Sequence, residues 1–443
     1  MPLSRSLLLL CLTSLLLSQE RPRTAASGAP DPDDEIRAVV ILSRHGVRAP
    51  LGSETRGNLY NAQPWPAWPV ETGVLTEHGS AALRLLAAYY RTRYADILPN
   101  GTCDPRTIYA EANNAQRTVA SAKSFLEGLG AGCQTEVHSQ PAGRANPLFS
   151  SAEVNGQANR EKLANQIQGR LGARLDWWTQ AFAEPLEEMR HVLLDCSGPD
   201  CEKSKKSLLS APATVAAARP GGLVTVDGPV AMGADFAEHF LLQYTEGFPM
   251  EKVGWGRVSR PALNRLMEMN TRYREFVSRT SYSAQIVASD LAFRIQATLR
   301  QAAEGRKIPG ALGTPQNRFI LLAGHDGTIS GLGGLLRMDW LLPDETFNAT
   351  PPGGALVFEL HRRKDREEFR VRAFFIGQTL DQIRFLRPLT GAEPAAIAPV
   401  FIPGCSGAET DYSCSVNAFS EAVDTAIDKR FLEPALRQSA LRQ

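Results

Sequence analysis

Seven consecutive residues of the chain, Arg44-His45-Gly46-Val47-Arg48-Ala49-Pro50, set two guanidinium groups beside one imidazole. Arginine keeps its charge at any physiological pH, and its planar fork matches two phosphate oxygens at once. A neutral imidazole held between such forks can attack phosphorus while the cations hold the equatorial oxygens. Gly46 allows close approach of the backbone. Two neighbouring arginines more often mark a basic surface loop, so the position of the motif carries weight. It follows directly on Ile36–Leu42, a nearly continuous apolar run with Val39, Val40, Ile41 and Leu42. A short β-branched run followed by Gly and Pro predicts a buried central strand. In open α/β sheets the ligand crevice lies at the carboxyl ends of the strands, where this loop begins.

The rest of the chain supplies the elements that must hold the loop. Thr76-Glu77-His78-Gly79 opens a helical pattern with the apolar stripe Leu83, Leu85, Leu86 and Tyr90. Strands are predicted at Thr107–Glu111 and Thr135–His138, with a helix over Val119–Leu129 between them. Phe319-Ile320-Leu321-Leu322-Ala323 is another buried-strand run, ending at Gly324-His325-Asp326, and Ala355–Leu360 and Phe369–Ile376 flank a charged turn. From 146 to 280 the pattern is mostly helical, over Arg160–Leu171, Met232–Tyr244 and Pro261–Arg279, with an Ala/Pro/Gly-rich break near Ala211–Gly222. Alternating strands and helices predict an α/β fold, a three-layer sandwich on a mainly parallel central sheet. It comprises 29–145 and 281–443 and is interrupted by an α-helical insertion, or cap, over 146–280.

Composition narrows the function classes. The 443 residues carry 48 Lys and Arg against 47 Asp and Glu, and 43% are hydrophobic, so the whole chain makes no case for nucleic acid or a membrane surface. Residues 1–28 read as a secretory signal peptide: Arg5, an apolar run from Leu7 to Leu17, then small residues around Ala25-Ala26-Ser27-Gly28. The run is too short for a membrane span, which needs about 20 apolar residues. A periplasmic or secreted protein with no membrane attachment after cleavage is therefore expected. Cys11 lies in the leader, and Cys103, Cys133, Cys196, Cys201, Cys405 and Cys414 remain. An even number in an exported chain suggests disulfides, and among 15 possible pairings proximity favours Cys103–Cys133, Cys196–Cys201 and Cys405–Cys414. Asn100-Gly101-Thr102 and Asn348-Ala349-Thr350 fit the glycosylation pattern. With no C-x-x-C pair and no histidine pair at ligand spacing, neither a metal nor a cofactor is expected.

Arg-His-Gly-x-Arg-x-Pro resembles the signature of the histidine acid phosphatases, a branch of the histidine phosphatase superfamily. Five fixed residues in that order arise by chance in such a chain only about once in ten thousand if residue types are equiprobable. The late His325-Asp326 pair resembles the family's second signature. Pro64-Trp65-Pro66-Ala67-Trp68-Pro69-Val70, Val253-Gly254-Trp255-Gly256-Arg257 and Pro351-Pro352-Gly353-Gly354 are similar to segments of the bacterial periplasmic phytase and glucose-1-phosphatase subgroup, as are the three local cysteine pairs. The resemblance implies that His45 is the nucleophile and forms a phosphohistidine. It implies that Arg44, Arg48, Arg117 and His325 bind the phosphoryl oxygens, that Asp326 protonates the leaving alcohol, and that Glu238 lines the substrate pocket. Without the resemblance, Arg117 would be read as a surface residue at a helix end.

The chain departs from the phytases in places that bear on substrate. Pro50 is followed by Leu51-Gly52 rather than Thr-Lys, Asn113-Asn114-Ala115-Gln116 replaces a carboxylate before Arg117, and Tyr282–Ser289 lacks a pocket arginine. Other motifs carry little: there is no P-loop, Gly331-Leu332-Gly333-Gly334 reads as helix packing, and Gly404-Cys405-Ser406-Gly407-Ala408 as a disulfide loop rather than a nucleophile elbow. His78, His138, His191, His239 and His361 read as solvated or satisfied side chains. The expectation is a secreted phosphomonoesterase acting on a small-molecule phosphate ester at acidic pH. A phytase or sugar-phosphate specificity, a phosphoryl mutase, a non-catalytic phosphate-ester binder and a structural envelope protein are the alternatives.

Overall fold

The computed structural model describes residues 34–98, 103–130, 132–141, 144–149, 158–195, 206–219, 222–364, 368–407 and 411–440. The leader, Cys196, Cys201 and the Asn100 sequon lie outside the described residues. In chain order the elements that matter for the site are β1 (Asp34–Arg44), α1 (Gly52–Thr55), α2 (Glu77–Arg93), β2 (Ile108–Ala112), α3 (Gln116–Leu129) and β3 (Val137–His138). The helical stretch brings α4 (Arg160–Arg170), α5 (Ala183–Leu194), β4 (Thr214–Ala217), β5 (Val224–Asp227), α6 (Pro229–Thr245) and α7 (Arg260–Val277). After it come α8 (Ser281–Glu304), β6 (Phe319–Gly324), α9 (Asp326–Leu335), β7 (Ala355–Arg363), β8 (Phe369–Gly377), β9 (Ala396–Val400), β10 (Cys414–Ser415) and α10 (Val416–Ala426).

The central sheet runs β10-β8-β7-β1-β6-β2-β3, with β9 also paired to β8. β1, β6, β2 and β3 are parallel to one another, while β7, β8, β9 and β10 continue the sheet by antiparallel pairing. Five of the eight strands thus run in one direction. β1 is buried on both faces from Ala38 onward, which explains its unbroken apolar sequence. Its alternate residues feed two cores. Val40 and Leu42 join Ile320, Leu322 and Phe358 against Leu291, Ile295, Ile329 and Phe419 of α8, α9 and α10. Val39 and Ile41 join Phe319, Leu321 and Val357 against Leu86, Tyr90, Phe125 and Leu126 of α2 and α3. The result is the three-layer sandwich, and each fully buried aliphatic side chain contributes about 1.5–3 kcal/mol to it.

A third core, with Leu163, Leu186, Met189, Phe236, Phe240, Leu263 and Leu266, lies among α4, α5, α6 and α7. Two features differ from the sequence reading. The break near Ala211–Gly222 contains part of an antiparallel ribbon, β4–β5. The 24-residue helix α8 went unread, because it has no clean polar face. Ala284, Ala288 and Leu291 pack toward the sheet, whereas Tyr282 and Ile286 pack into the core of the helical stretch. Cys103–Cys133 and Cys405–Cys414 are disulfide-bonded, with Cα atoms 4.8 and 5.5 Å apart. Gly331 and Gly334 do serve packing: a Cβ on Gly331 would lie 2.5 Å from Val287, and one on Gly334 2.5 Å from the Arg279 Cα. Among the described residues no helix is long and apolar enough to cross a membrane.

The N-terminus of α2 clamps the Arg-His-Gly loop. Thr76 caps the helix by accepting from the Gly79 amide at 2.9 Å, and its own amide donates to the Val47 carbonyl at 3.0 Å. The two segments are so close that a Cβ on Gly79 would sit 2.3 Å from the Val47 oxygen. A backbone oxygen cannot swing aside as a side-chain end can. Gly79→Ala should therefore cost about 1–3 kcal/mol in a denaturant melt. Amide exchange should accelerate at Thr76 while β1 stays protected; unchanged exchange at Thr76 would show that the clamp does not hold the loop.

Candidate active site

Parallel pairing brings distant parts of the chain together at one edge. The β1–β6 register ends with Arg44 opposite Gly324, and β2 reaches the same level, with Ala112 opposite Ala323. The next residues leave the sheet side by side. The His45 amide donates to the Gly324 carbonyl at 3.0 Å, and the Asn113 amide to the Ala323 carbonyl at 3.0 Å. The imidazoles of His45 and His325 consequently meet edge to face, with centroids 5.5 Å apart. The Pro351–Gly354 segment supports the loop from behind: the Arg44 amide donates to the Gly354 carbonyl at 2.9 Å and the Gly353 amide to the His45 carbonyl at 3.1 Å. From α3, the Ser121 hydroxyl accepts from the Gly46 amide at 3.0 Å.

Arg44, His45 and Arg48 are all buried. The Nδ1–H of His45 donates to the Gly46 carbonyl at 2.9 Å, which leaves the Nε2 lone pair free. Burial, then Arg44, Arg48 and His325, hold the His45 imidazole well below its usual pKa, because each disfavours a second proton. Burial, with Arg117 next, pushes His325 down to about 4. Both rings are therefore neutral across mildly acidic and neutral pH.

Buried guanidinium groups need counter-charges. Arg44 pairs with Glu238 of α6 and donates its other terminal nitrogen to the Thr350 carbonyl at 2.5 Å. Arg48 makes a two-bond fork with Glu54 of α1, at 3.0 and 2.7 Å. Asp326 pairs with Arg274 of α7, and its second oxygen accepts from the Gly327 amide at 2.8 Å. Burial would raise the Asp326 pKa, but Arg274, Arg44 and His45 outweigh it and hold the carboxyl well below its ordinary range. Arg117, on the first turn of α3, forms no ion pair among the described residues, and burial followed by the neighbouring Arg48 lowers its pKa.

All seven site residues singled out in the sequence thus converge: Arg44, His45, Arg48, Arg117, Glu238, His325 and Asp326. Glu54 and Arg274 were missed. Glu54 had a legible signal, since it closes the first turn after Pro50 and accepts from the Leu51 amide at 2.8 Å. Arg274 had none, being one of several arginines on α7. The tryptophan-rich segments form a wall beside α6. The Trp65 ring lies flat on His239 with centroids 4.0 Å apart and meets Trp255 at 4.6 Å, and the Trp255 indole donates to the Pro64 carbonyl at 2.9 Å. His239 is fully buried under Trp65, and burial pushes its pKa to about 3. Of the other histidines, His78 meets the Ile383 carbonyl at 2.9 Å, His361 bonds Glu359 at 2.9 Å, His191 lies 3.2 Å from Glu187 and His138 stacks on Tyr109.

A neutral imidazole set among arginines at the strand ends of an α/β sheet is suited to phosphoryl transfer. Residues 35–375 match the model of the histidine phosphatase superfamily, branch 2, and the chain belongs to that family. It is 29% identical to the phytase AppA of Escherichia coli strain K12 over 414 residues, covering 91% of this chain and 94% of that one. It is also 29% identical to a glucose-1-phosphatase of Salmonella typhimurium strain LT2 over 405 residues, covering 88% and 92%. The solved structure of Hafnia alvei phytase in its apo form superposes with a TM-score of 0.83 at 30% identity, covering 92% of this chain and 100% of that one. The Citrobacter braakii phytase superposes with a TM-score of 0.80 at 27% identity, covering 90% and 99%. The protein is a phosphoric monoester hydrolase of the histidine acid phosphatase type.

The Arg48–Glu54 fork allows a direct check on the site's electrostatics. Glu54→Ala leaves a buried guanidinium without its counter-charge and should cost roughly 3–5 kcal/mol. Inorganic phosphate supplies the missing anion, so saturating phosphate should raise the melting temperature of the variant more than that of the wild type. Equal increments would mean that Arg48 does not face the phosphate.

Proposed function

We propose that the protein is an exported acid phosphatase that hydrolyses small phosphomonoesters through a phosphohistidine at His45. The observation that carries this reading is the Nδ1 bond from His45 to the Gly46 carbonyl, which leaves a neutral Nε2 free on a ring that Arg44 and Arg48 act upon. Arg44, Arg48, Arg117 and His325 take the phosphoryl oxygens, so charge that spreads in the transition state meets donors already in place. Nε2 forms a bond to phosphorus as the ester P–O bond breaks, and the electron pair stays on the ester oxygen. Asp326 gives that oxygen a proton and the alcohol departs. Water then attacks the phosphohistidine and passes its proton to the Asp326 carboxylate, releasing phosphate and restoring both residues. The proton that Asp326 must carry calls for an acidic optimum.

On substrate, the reading favours singly phosphorylated esters over phytate. At the place where the phytases carry Thr-Lys, this chain begins α1 and sets Glu54 on Arg48. With that lysine absent and Glu54 partly neutralising Arg48, an ester with many phosphates meets fewer cations. Glu238 and the aromatic wall of Trp65 and Trp255 would meet the alcohol part. The same reading makes 1–28 a cleaved signal peptide, places the mature protein in the periplasm or outside the cell, pairs Cys196 with Cys201, and treats 146–280 as a cap inserted into a phosphatase domain of 29–145 and 281–443.

The test is phosphate release from p-nitrophenyl phosphate, glucose 1-phosphate and phytate between pH 3 and 8, beside His45→Ala. Loss of at least about a thousandfold is expected in the variant. Label from a ³²P-ester should remain on wild-type His45 after alkaline quench and be lost in acid. A wild type as inert as the variant would instead favour a phosphate-ester binder, and phytate turned over fastest would overturn the substrate preference.

A further inference from the structure

Asp326 is held in the wrong state for a proton donor. Its two oxygens are occupied, one by Arg274 and the other by the Gly327 amide. It also opens α9, where the helix dipole favours an anion. The groups that act on it from the surrounding elements are Arg44, His45 and Arg48 from β1 and its loop, Arg117 from α3, Arg274 from α7 and the adjacent His325. None of these is an anion, and in the unliganded site the cations among them outweigh the burial that would otherwise favour a proton. An alcohol that leaves without a proton leaves slowly, so Arg274 must let go during turnover.

The site contains a partner to receive it. Glu238 uses only Oε1 for Arg44, and its buried Oε2 has no hydrogen-bond partner. On Arg274 the buried Nε is also without a partner, and Glu238 is among the carboxylates that act on this guanidinium, with Asp235. Both carboxylates lie on α6, next to α7. When a substrate phosphate takes the Arg44 fork, Glu238 loses its cation and becomes an uncompensated buried anion. Arg274, on which Glu238 already acts through space, is a cation that the phosphate does not itself need.

We propose that Arg274 is a positioning residue that passes from Asp326 to Glu238 when phosphate takes Arg44, so that substrate binding itself frees Asp326 for proton donation. The proposal rests on the roles of His45 and Asp326 given above. Two ion pairs exchange partners, and the site takes up one proton. Arg44 moves from Glu238 to the phosphate, Arg274 moves from Asp326 to Glu238, and Asp326 takes a proton from solvent. An empty site keeps its acid ionised, and a filled one arms it.

The readout is the ratio of kcat/KM for an alkyl phosphate, glycerol 2-phosphate, to that for p-nitrophenyl phosphate, from pH 3 to 8. Nitrophenolate departs without a proton, any loss of phosphate affinity is common to both esters, and alcohol contacts only scale the ratio, so its pH dependence reports proton donation. In Arg274→Gln the pH at which the ratio falls should rise by at least one unit, about a tenfold gain in the ratio above the wild-type midpoint, whereas Arg274→Lys keeps the wild-type midpoint. In Glu238→Gln the ratio at pH 5, taken relative to that at pH 3, should drop by about tenfold or more, since Asp235, the other carboxylate near Arg274, is already held by Arg56. The double variant should match Arg274→Gln alone, because with Arg274 gone there is nothing for Glu238 to remove. An unshifted midpoint in Arg274→Gln overturns the proposal, and so does a double variant whose ratio is the product of the single effects. If Glu238→Gln does not fold, Glu238→Ala takes its place, because the Arg274→Gln midpoint by itself reports only the resting Asp326–Arg274 pair. Failure here with His45→Ala still inert leaves the phosphohistidine reading standing; release of phosphate by His45→Ala removes both.

Discussion

A guanidinium group drawn out of water must find an anion or several hydrogen-bond acceptors, because the desolvation cost otherwise runs to several kcal/mol. This site gathers Arg44, Arg48, Arg117 and Arg274 around two neutral histidines, and their mutual repulsion would scatter them without compensation. Glu238, Glu54 and Asp326 supply it. Each pair spans different elements: β1 with α6, the motif loop with α1, and α7 with the start of α9. The electrostatic requirement of the site therefore also fastens the helical stretch to the sheet.

That arrangement has a chemical consequence. On the proposed mechanism, a phosphate ester entering the site meets cations that are already partnered, so its binding energy is partly used in displacing carboxylates. The return is preorganisation: the arginines are held in position before the ligand arrives, and the transition state meets fixed donors rather than mobile ones. Neutral imidazoles follow from the same crowding. A ring buried beside Arg44 and Arg48 cannot readily accept a second proton, so His45 retains its lone pair at pH values where a solvated histidine would begin to lose it.

The backbone has an equally strict part. Arg44 and His45 are bonded to Gly354, Gly353 and Gly324, while Gly79 admits the Val47 carbonyl at a distance no side chain would allow. The Pro351–Gly354 and tryptophan-rich segments, which carry no catalytic group types, act as supports. One braces the loop from behind, and the others stack into the wall over His239.

Much was legible in the sequence because its signals are local. An unbroken β-branched run can only be a strand buried on both faces, and Arg-His-Gly-x-Arg-x-Pro directly after it places two cations and an imidazole at a strand end. The Gly324-His325-Asp326 turn could be read in the same way. The helix α8 was not legible, since a helix buried between two cores shows no amphipathic period, and β4–β5 was hidden in a stretch of weak strand formers. Arg274 was illegible for a different reason. Its partner Asp326 lies on another element, and no pattern within α7 singles it out from Arg272 or Arg265. The candidate reactive groups at the two strand ends were thus singled out by the sequence alone, through residue type and short spacing. Their charge states, and which carboxylate each arginine holds, were decided only by tertiary structure, because burial and through-space electrostatics depend on distances that the chain order does not contain.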